Sequence, residues 1–178
     1  MSGGSAVRQA PAPVVIVAYD PAWQNAFAII RERLSAALGP LAVAIHHVGS
    51  TSVVGLAAKP IVDVDVEIAG AGDLQLTIDR LAAIGYVHDG DGDIPGRERF
   101  RQPANLPRHH CYVCVTGGRE LVRHLRFRDA LRADWSLAEE YARLKRALAA
   151  QYGTDRDGYS VAKTFFVEGV LAANLPPI

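Results

Sequence analysis

The chain has 178 residues, about half of them apolar, with 19 basic and 19 acidic side chains and no formal net charge. That length suits one domain with a hydrophobic core. The charge balance gives no bulk pull toward nucleic acid or an anionic membrane surface, and no stretch approaches the roughly 20 apolar residues of a membrane span.

Residues 1–13, MSGGSAVRQAPAP, are small, polar and proline-rich, and read as a flexible leader before a single domain over 14–178. No basic segment precedes an apolar run, so no secretory signal is expected, and with two cysteines, Cys111 and Cys114, a reduced cytoplasmic setting fits best. VVIVAY, 14–19, predicts a short strand. Asp20-Pro21 opens a helix, with Asp as N-cap and Pro at the first helical position. Trp23, Phe27, Ile30, Leu34 and Leu38 form its apolar stripe, and Gly39-Pro40 ends it. LAVAIHHV, 41–48, reads as a strand. IVDVDVEI, 61–68, alternates apolar and acidic residues, the mark of a strand with one buried face. A helix is expected over 73–84, an edge strand from Tyr86-Val87, a loop over 89–96, and strands over 97–102 and 111–116. From about 118 the pattern is helical, with helices near 118–133, 135–151 and 157–173 before Pro176-Pro177.

The chemistry concentrates between His46 and Ile68. Gly49-Ser50 is followed by 12 residues and then Asp63-Val64-Asp65. Residues two apart on a strand share a face, so Asp63 and Asp65 project side by side and Glu67 continues the row. Two adjacent carboxylates repel each other and favour a hard divalent cation, Mg²⁺ or Mn²⁺. Glycine lets the backbone approach a phosphate, the Ser50 hydroxyl and nearby N–H groups can donate to it, and Lys59 places a positive charge near the same strand end.

Gly-Ser, a gap of a dozen residues and Asp-x-Asp in an apolar strand resembles the signature of the nucleotidyltransferase superfamily of the DNA polymerase β type. The string HHVGSTSVVGLAAKPIVDVDV, with HLRFRDALR (124–132), EYARLKRALA (140–149) and YSVAKTFF (159–166), is similar to the GrpB family within it. The resemblance implies an α/β (α+β) fold, a mixed β-sheet flanked by helices with a helical C-terminal third. It implies nucleoside triphosphate binding, with Gly49 and Ser50 on the phosphates, Asp63 and Asp65 on the metal, and transfer of a nucleotidyl group to an unknown hydroxyl or amine acceptor. Arg128 and Lys163 match family positions and join Lys59 as phosphate contacts. Active members of the superfamily usually add a third carboxylate from a later strand. HHCYVCV has no acid, so Glu67, Glu98 or His110 is expected to stand in.

A plainer function is kept beside this one: a non-catalytic nucleotide-binding or chaperone-like accessory module, as GrpB-like domains fused to dephospho-CoA kinase suggest. Asp-Val-Asp as a glycosyltransferase metal motif leaves the Gly-Ser turn unexplained. Tyr141, Tyr159, Phe127 and Trp135 are assigned to the core, and the arginines of 119–132 to a largely solvated helix face. Cys111-x-x-Cys114 has no second pair for zinc, and strand alternation sends its thiols to opposite faces. DGDGD, 89–93, lacks the glycine and glutamate of a calcium loop.

Overall fold

A computed structural model describes residues 13–173, so the leader expected over 1–13, Pro13 aside, lies outside the described residues, as does Pro176-Pro177. Among the described residues, two α-helices and five strands fill the first two thirds and three α-helices follow: α1 (Ala22–Leu38), β1 (Ala42–Val48), β2 (Val62–Ile68), α2 (Leu74–Ala83), β3 (Val87–His88), β4 (Arg97–Arg101), β5 (His109–Val115), α3 (Arg119–Ala133), α4 (Trp135–Tyr152) and α5 (Arg156–Ala173). The sheet order is β1-β2-β5-β4-β3. β2 and β5 run parallel, and every other neighbouring pair is antiparallel. This is the mixed α+β architecture expected.

β2 sets the register. Val62, Val64, Val66 and Ile68 are buried against Ile30, Leu34 and Leu38 of α1 and Leu81 of α2. Each such side chain contributes roughly 1.5–3 kcal/mol on burial. A slip by one residue would expose all four and bury Asp63, Asp65 and Glu67 instead, so one pairing is far below its neighbours in energy. The acids are thereby committed to the opposite face. His110 and Tyr112 pair with Asp63 and Asp65 and share that face, while Cys111 and Val113 join the core.

The expected strand at 14–19 is reduced to one bridge, in which Val17 exchanges two backbone hydrogen bonds with Ala58. Its partner is the irregular connection between β1 and β2, which offers no ladder to extend. α1 begins at Ala22, one residue after Pro21, and the Asp20 carboxylate accepts from the Ala22 N–H at 2.9 Å. α4 is capped by Asp134, which accepts from the N–H groups of Ser136 and Leu137. The helical third packs Leu131, Ala138, Tyr141 and Ala142 against Val53, Leu56 and Ala57 of the β1–β2 connection. That contact draws the Gly-Ser segment under α4 and leaves the acidic face of β2 lining a space beneath the helices.

Candidate functional site

Gly49 has φ +67° and ψ −173°, a conformation open essentially to glycine alone. A Cβ there would lie 2.2 Å from Asp63 Oδ2. Absence of a side chain therefore lets the turn rest directly on the carboxylate. Ser50–Ser52 then makes one tight helical turn, held by Ser52 Oγ donating to the Gly49 carbonyl at 2.6 Å.

Each acid of β2 holds an imidazole. His110 Nδ1 lies 2.8 Å from Asp63 Oδ1, His124 Nδ1 lies 2.7 Å from Asp65 Oδ2, and His46 Nε2 lies 2.7 Å from Glu67 Oε2. Thr116 also donates to Glu67. Asp65 is fully buried. Burial alone would pull the His124 pKa down, but the hydrogen bond to Asp65 and its charge outweigh that and leave it raised. For Glu67, burial pushes up while the bonds from His46 and Thr116 prevail and hold it below the usual range. His47, on the other face of β1, is stacked on Phe27, and burial lowers its pKa to about 4, so it stays neutral.

Three lysines converge above Asp63. Lys145 of α4 is 2% exposed. Its Nζ donates to Ser50 Oγ at 2.8 Å and to the Ala57 carbonyl, and sits 4.6 Å from the centre of the Tyr141 ring. Lys59 and Lys163 lie 4.0 and 4.7 Å from the centre of the Tyr159 ring. Burial and then neighbouring cations lower Lys145 to about 7 and Lys59 to about 8; burial lowers Lys163 too. A group of cations destabilised in this way is relieved by an anion.

These residues line a cavity of about 410 Å³ whose wall carries Asp63 as its one carboxylate among the described residues. It brings together six sequence-designated positions: Gly49, Ser50, Lys59, Asp63, His110 and Lys163. Asp65 lies beside Asp63 but below the cavity wall. Glu67 is engaged with His46 and Thr116 further along β2, and Glu98 points to the other face, paired with Val113 and bonded to His88. Arg128 faces away from the cavity: it pairs with Asp129 and donates to the His47 carbonyl, while Arg132 holds the Ser52 carbonyl, so α3 fastens the turn by its backbone.

Lys145, His124, Arg97 and Arg123 are among the cavity residues that the sequence did not single out. Lys145 interrupts the stripe Tyr141, Ala142, Leu148, and His124 falls one turn before Phe127 on α3; a polar residue on an inward-facing stripe was the available signal. Tyr141 and Tyr159 are buried as expected, and both also border the cavity.

Asp63 and Asp65 are the two adjacent carboxylates that could hold a Mg²⁺ ion. Asp65 Oδ1 is buried without a partner, and no described residue bonds Asp63 Oδ2. No group of three or more His, Cys, Asp or Glu among the described residues is arranged around a metal position, so phosphate and water would have to complete the shell.

Comparison with known proteins matches residues 13–173 to the GrpB protein family. The chain belongs to the GrpB family. The GrpB chain is 37% identical over 155 residues to YqkA of Bacillus subtilis, covering 87% of this chain but 45% of that protein, so it spans under half of that relative's length. The crystal structure of conserved protein GrpB from Enterococcus faecalis superposes with a TM-score of 0.79 at 31% identity, over 89% of this chain and 96% of that one. The GLD-2/RNP-8 complex matches at TM-score 0.56 and 14% identity over 84% of this chain and 60% of that one, and Cid1 with its short product ApU at 0.51 and 15% over 73% and 42%. At these identities the likeness is one of fold, shared with the GLD-2 and Cid1 structures. No helix among the described residues is long and apolar enough to cross a membrane.

Proposed function

We propose that the protein binds a nucleoside triphosphate with Mg²⁺ or Mn²⁺ and moves its nucleotidyl group to a hydroxyl or amine acceptor. The observation that supports this reading is the meeting of opposite charges in one cavity: Asp63 under the Gly49-Ser50 turn, with Lys59, Lys145 and Lys163 around it. A volume of about 410 Å³ falls within the ~300–1,000 Å³ of small-molecule sites.

In this reading Gly49 and Ser50 present backbone and hydroxyl groups to the phosphates, and the lysines balance charge that builds on the leaving pyrophosphate. Asp63 and Asp65 would hold the divalent ion, which when bound would neutralise phosphate charge. The acceptor oxygen or nitrogen bonds to the α-phosphorus, the bond to the bridging oxygen breaks, pyrophosphate leaves with that electron pair, and the acceptor's proton passes to His110 Nε2. His110 stands beside this path. With Nδ1–H given to Asp63, its Nε2 keeps a free lone pair.

Calorimetric titration of a Mg²⁺-loaded non-hydrolysable triphosphate tests the reading. Saturable binding to the wild type, weakened about tenfold or more in Asp63→Asn, is expected; no binding to the wild type at millimolar nucleotide rejects it. One observation favours a second reading, nucleotide binding without transfer: the β5 positions paired with Asp63 and Asp65 are His110 and Tyr112, not an acid. Binding without pyrophosphate release across a panel of acceptors distinguishes that case.

A further inference from the structure

We infer that the β4 side of the cavity receives a small acceptor bearing a carboxylate or phosphate next to its reacting group, and that Arg97 recognises this anion. The inference rests on the nucleotidyl transfer proposed above and adds the chemical class of the second substrate.

The sheet order separates two sets of cations. Lys145 and Ser50 belong to the side of β2 from which β1 arrives. Arg97 is on β4, which lies beyond β5 on the other side. Two strand spacings put its backbone about 10 Å from that of β2. Arg97 pairs in register with Cys114 of β5 and so shares the face of His110, Tyr112 and Asp63. Cations therefore flank Asp63 from both sides. The lysine side suits a triphosphate. The Arg97 side is left for whatever the triphosphate reacts with.

Arg97 is also the cavity arginine without a counter-charge. Arg123 is neutralised by Glu168 at 2.5 Å and by Glu120 at 3.7 Å. Outside the cavity, Arg99 and Arg101 of the same strand share Asp89. No ion pair among the described residues includes Arg97, and its Nε is buried with no acceptor. The Tyr112 ring, 4.3 Å from the guanidinium carbon, steadies the group but accepts nothing at Nε. Leaving a charged donor buried and unmet is destabilising. A water molecule could satisfy the N–H but not the charge. A planar fork of donors held by an aromatic ring matches a carboxylate or phosphate, whereas a neutral alcohol would leave the charge unanswered.

The test uses the full chain with saturating Mg²⁺ and a non-hydrolysable triphosphate. Glycerate, glycerol 3-phosphate and phosphoserine are titrated by calorimetry, with glycerol as the neutral hydroxyl. At least one anion should bind saturably and glycerol should not. Arg97→Gln should weaken that anion about tenfold or more, with Arg97→Lys intermediate and nucleotide affinity within about twofold of wild type. Anions binding no better than glycerol, or equally well to Arg97→Gln, overturn the inference. Should the wild type bind no nucleotide, the transfer reading fails by itself. The same anion series without nucleotide then still decides whether Arg97 forms an anion site.

Discussion

Replacing Gly49 by alanine puts the sequence signature and the geometry to one test. The new Cβ would meet Asp63 Oδ2 at 2.2 Å, Cγ at 2.9 Å and Cβ at 3.0 Å. Contacts under 3.0 Å do not persist, so Asp63 must swing away by most of an ångström or the turn must move. The backbone conformation, φ +67° with ψ −173°, costs a further ~1–3 kcal/mol for a residue with a Cβ. Together these predict a loss of about 2–4 kcal/mol. At this chain length that corresponds to a fall of roughly 5–15 °C in Tm. Because the displaced carboxylate is the one held by His110, Mg²⁺-nucleotide affinity should fall with stability. Gly72→Ala is the control: nothing lies within 4 Å of its added Cβ, and it should be neutral or stabilising by up to about 1 kcal/mol. Urea unfolding and calorimetry of both variants give the answer. A Gly49→Ala protein within about 0.5 kcal/mol of wild type would refute the claim that the turn and Asp63 are in contact.

Two further outcomes follow from the buried charges. Lys145 is lowered to about 7, so a triphosphate meets a full positive charge below that pH and a growing neutral fraction above it. Nucleotide affinity should decline as pH rises from about 7, by at most tenfold per pH unit, and Lys145→Met should be weaker and flatter. The unfolded lysine stays protonated up to about 10.5, so between those values the unfolded chain binds more protons and stability rises with pH, a gain that the methionine variant partly loses. His124→Gln removes the imidazole that bonds fully buried Asp65. Breaking such a buried contact costs about 3–5 kcal/mol, measurable by chemical denaturation, and a change below about 1 kcal/mol would mean that the bond between His124 and Asp65 adds little to stability.

Periodicity revealed β2, which has a neighbour on each side in the sheet, because eight alternating residues leave one solution for which face packs on α1 and α2. The Gly-Ser turn was legible for the same reason: few residues tolerate what Gly49 does. VVIVAY looked equally strand-like but found no ladder partner, and composition cannot supply one. Lys145 sat within EYARLKRALA, where a charged residue every few positions reads as a solvated face; that it points inward depends on α4 lying over the Gly-Ser turn. Arg97 was less accessible still, because its neighbours follow from β4 adding beyond β5. Glu98 failed to join Asp63 on grounds that alternation alone decides once that strand order is known.

The three imidazoles that hold the β2 acids come from 21, 47 and 59 residues away in sequence. A newly made β1–β2 hairpin can match only Glu67, with His46. Asp63 waits for β5 and Asp65 for α3, and each closure is a separate entropic step. Until both arrive, two bare carboxylates sit side by side with no proton donor between them and no roof over them. The acid-bearing half of the motif thus needs only β1 and β2, while the cation-lined chamber needs α4 and α5 as well. A chain cut short before α3 would carry Asp63 and Asp65 without His124 and without the lysines of α4 and α5.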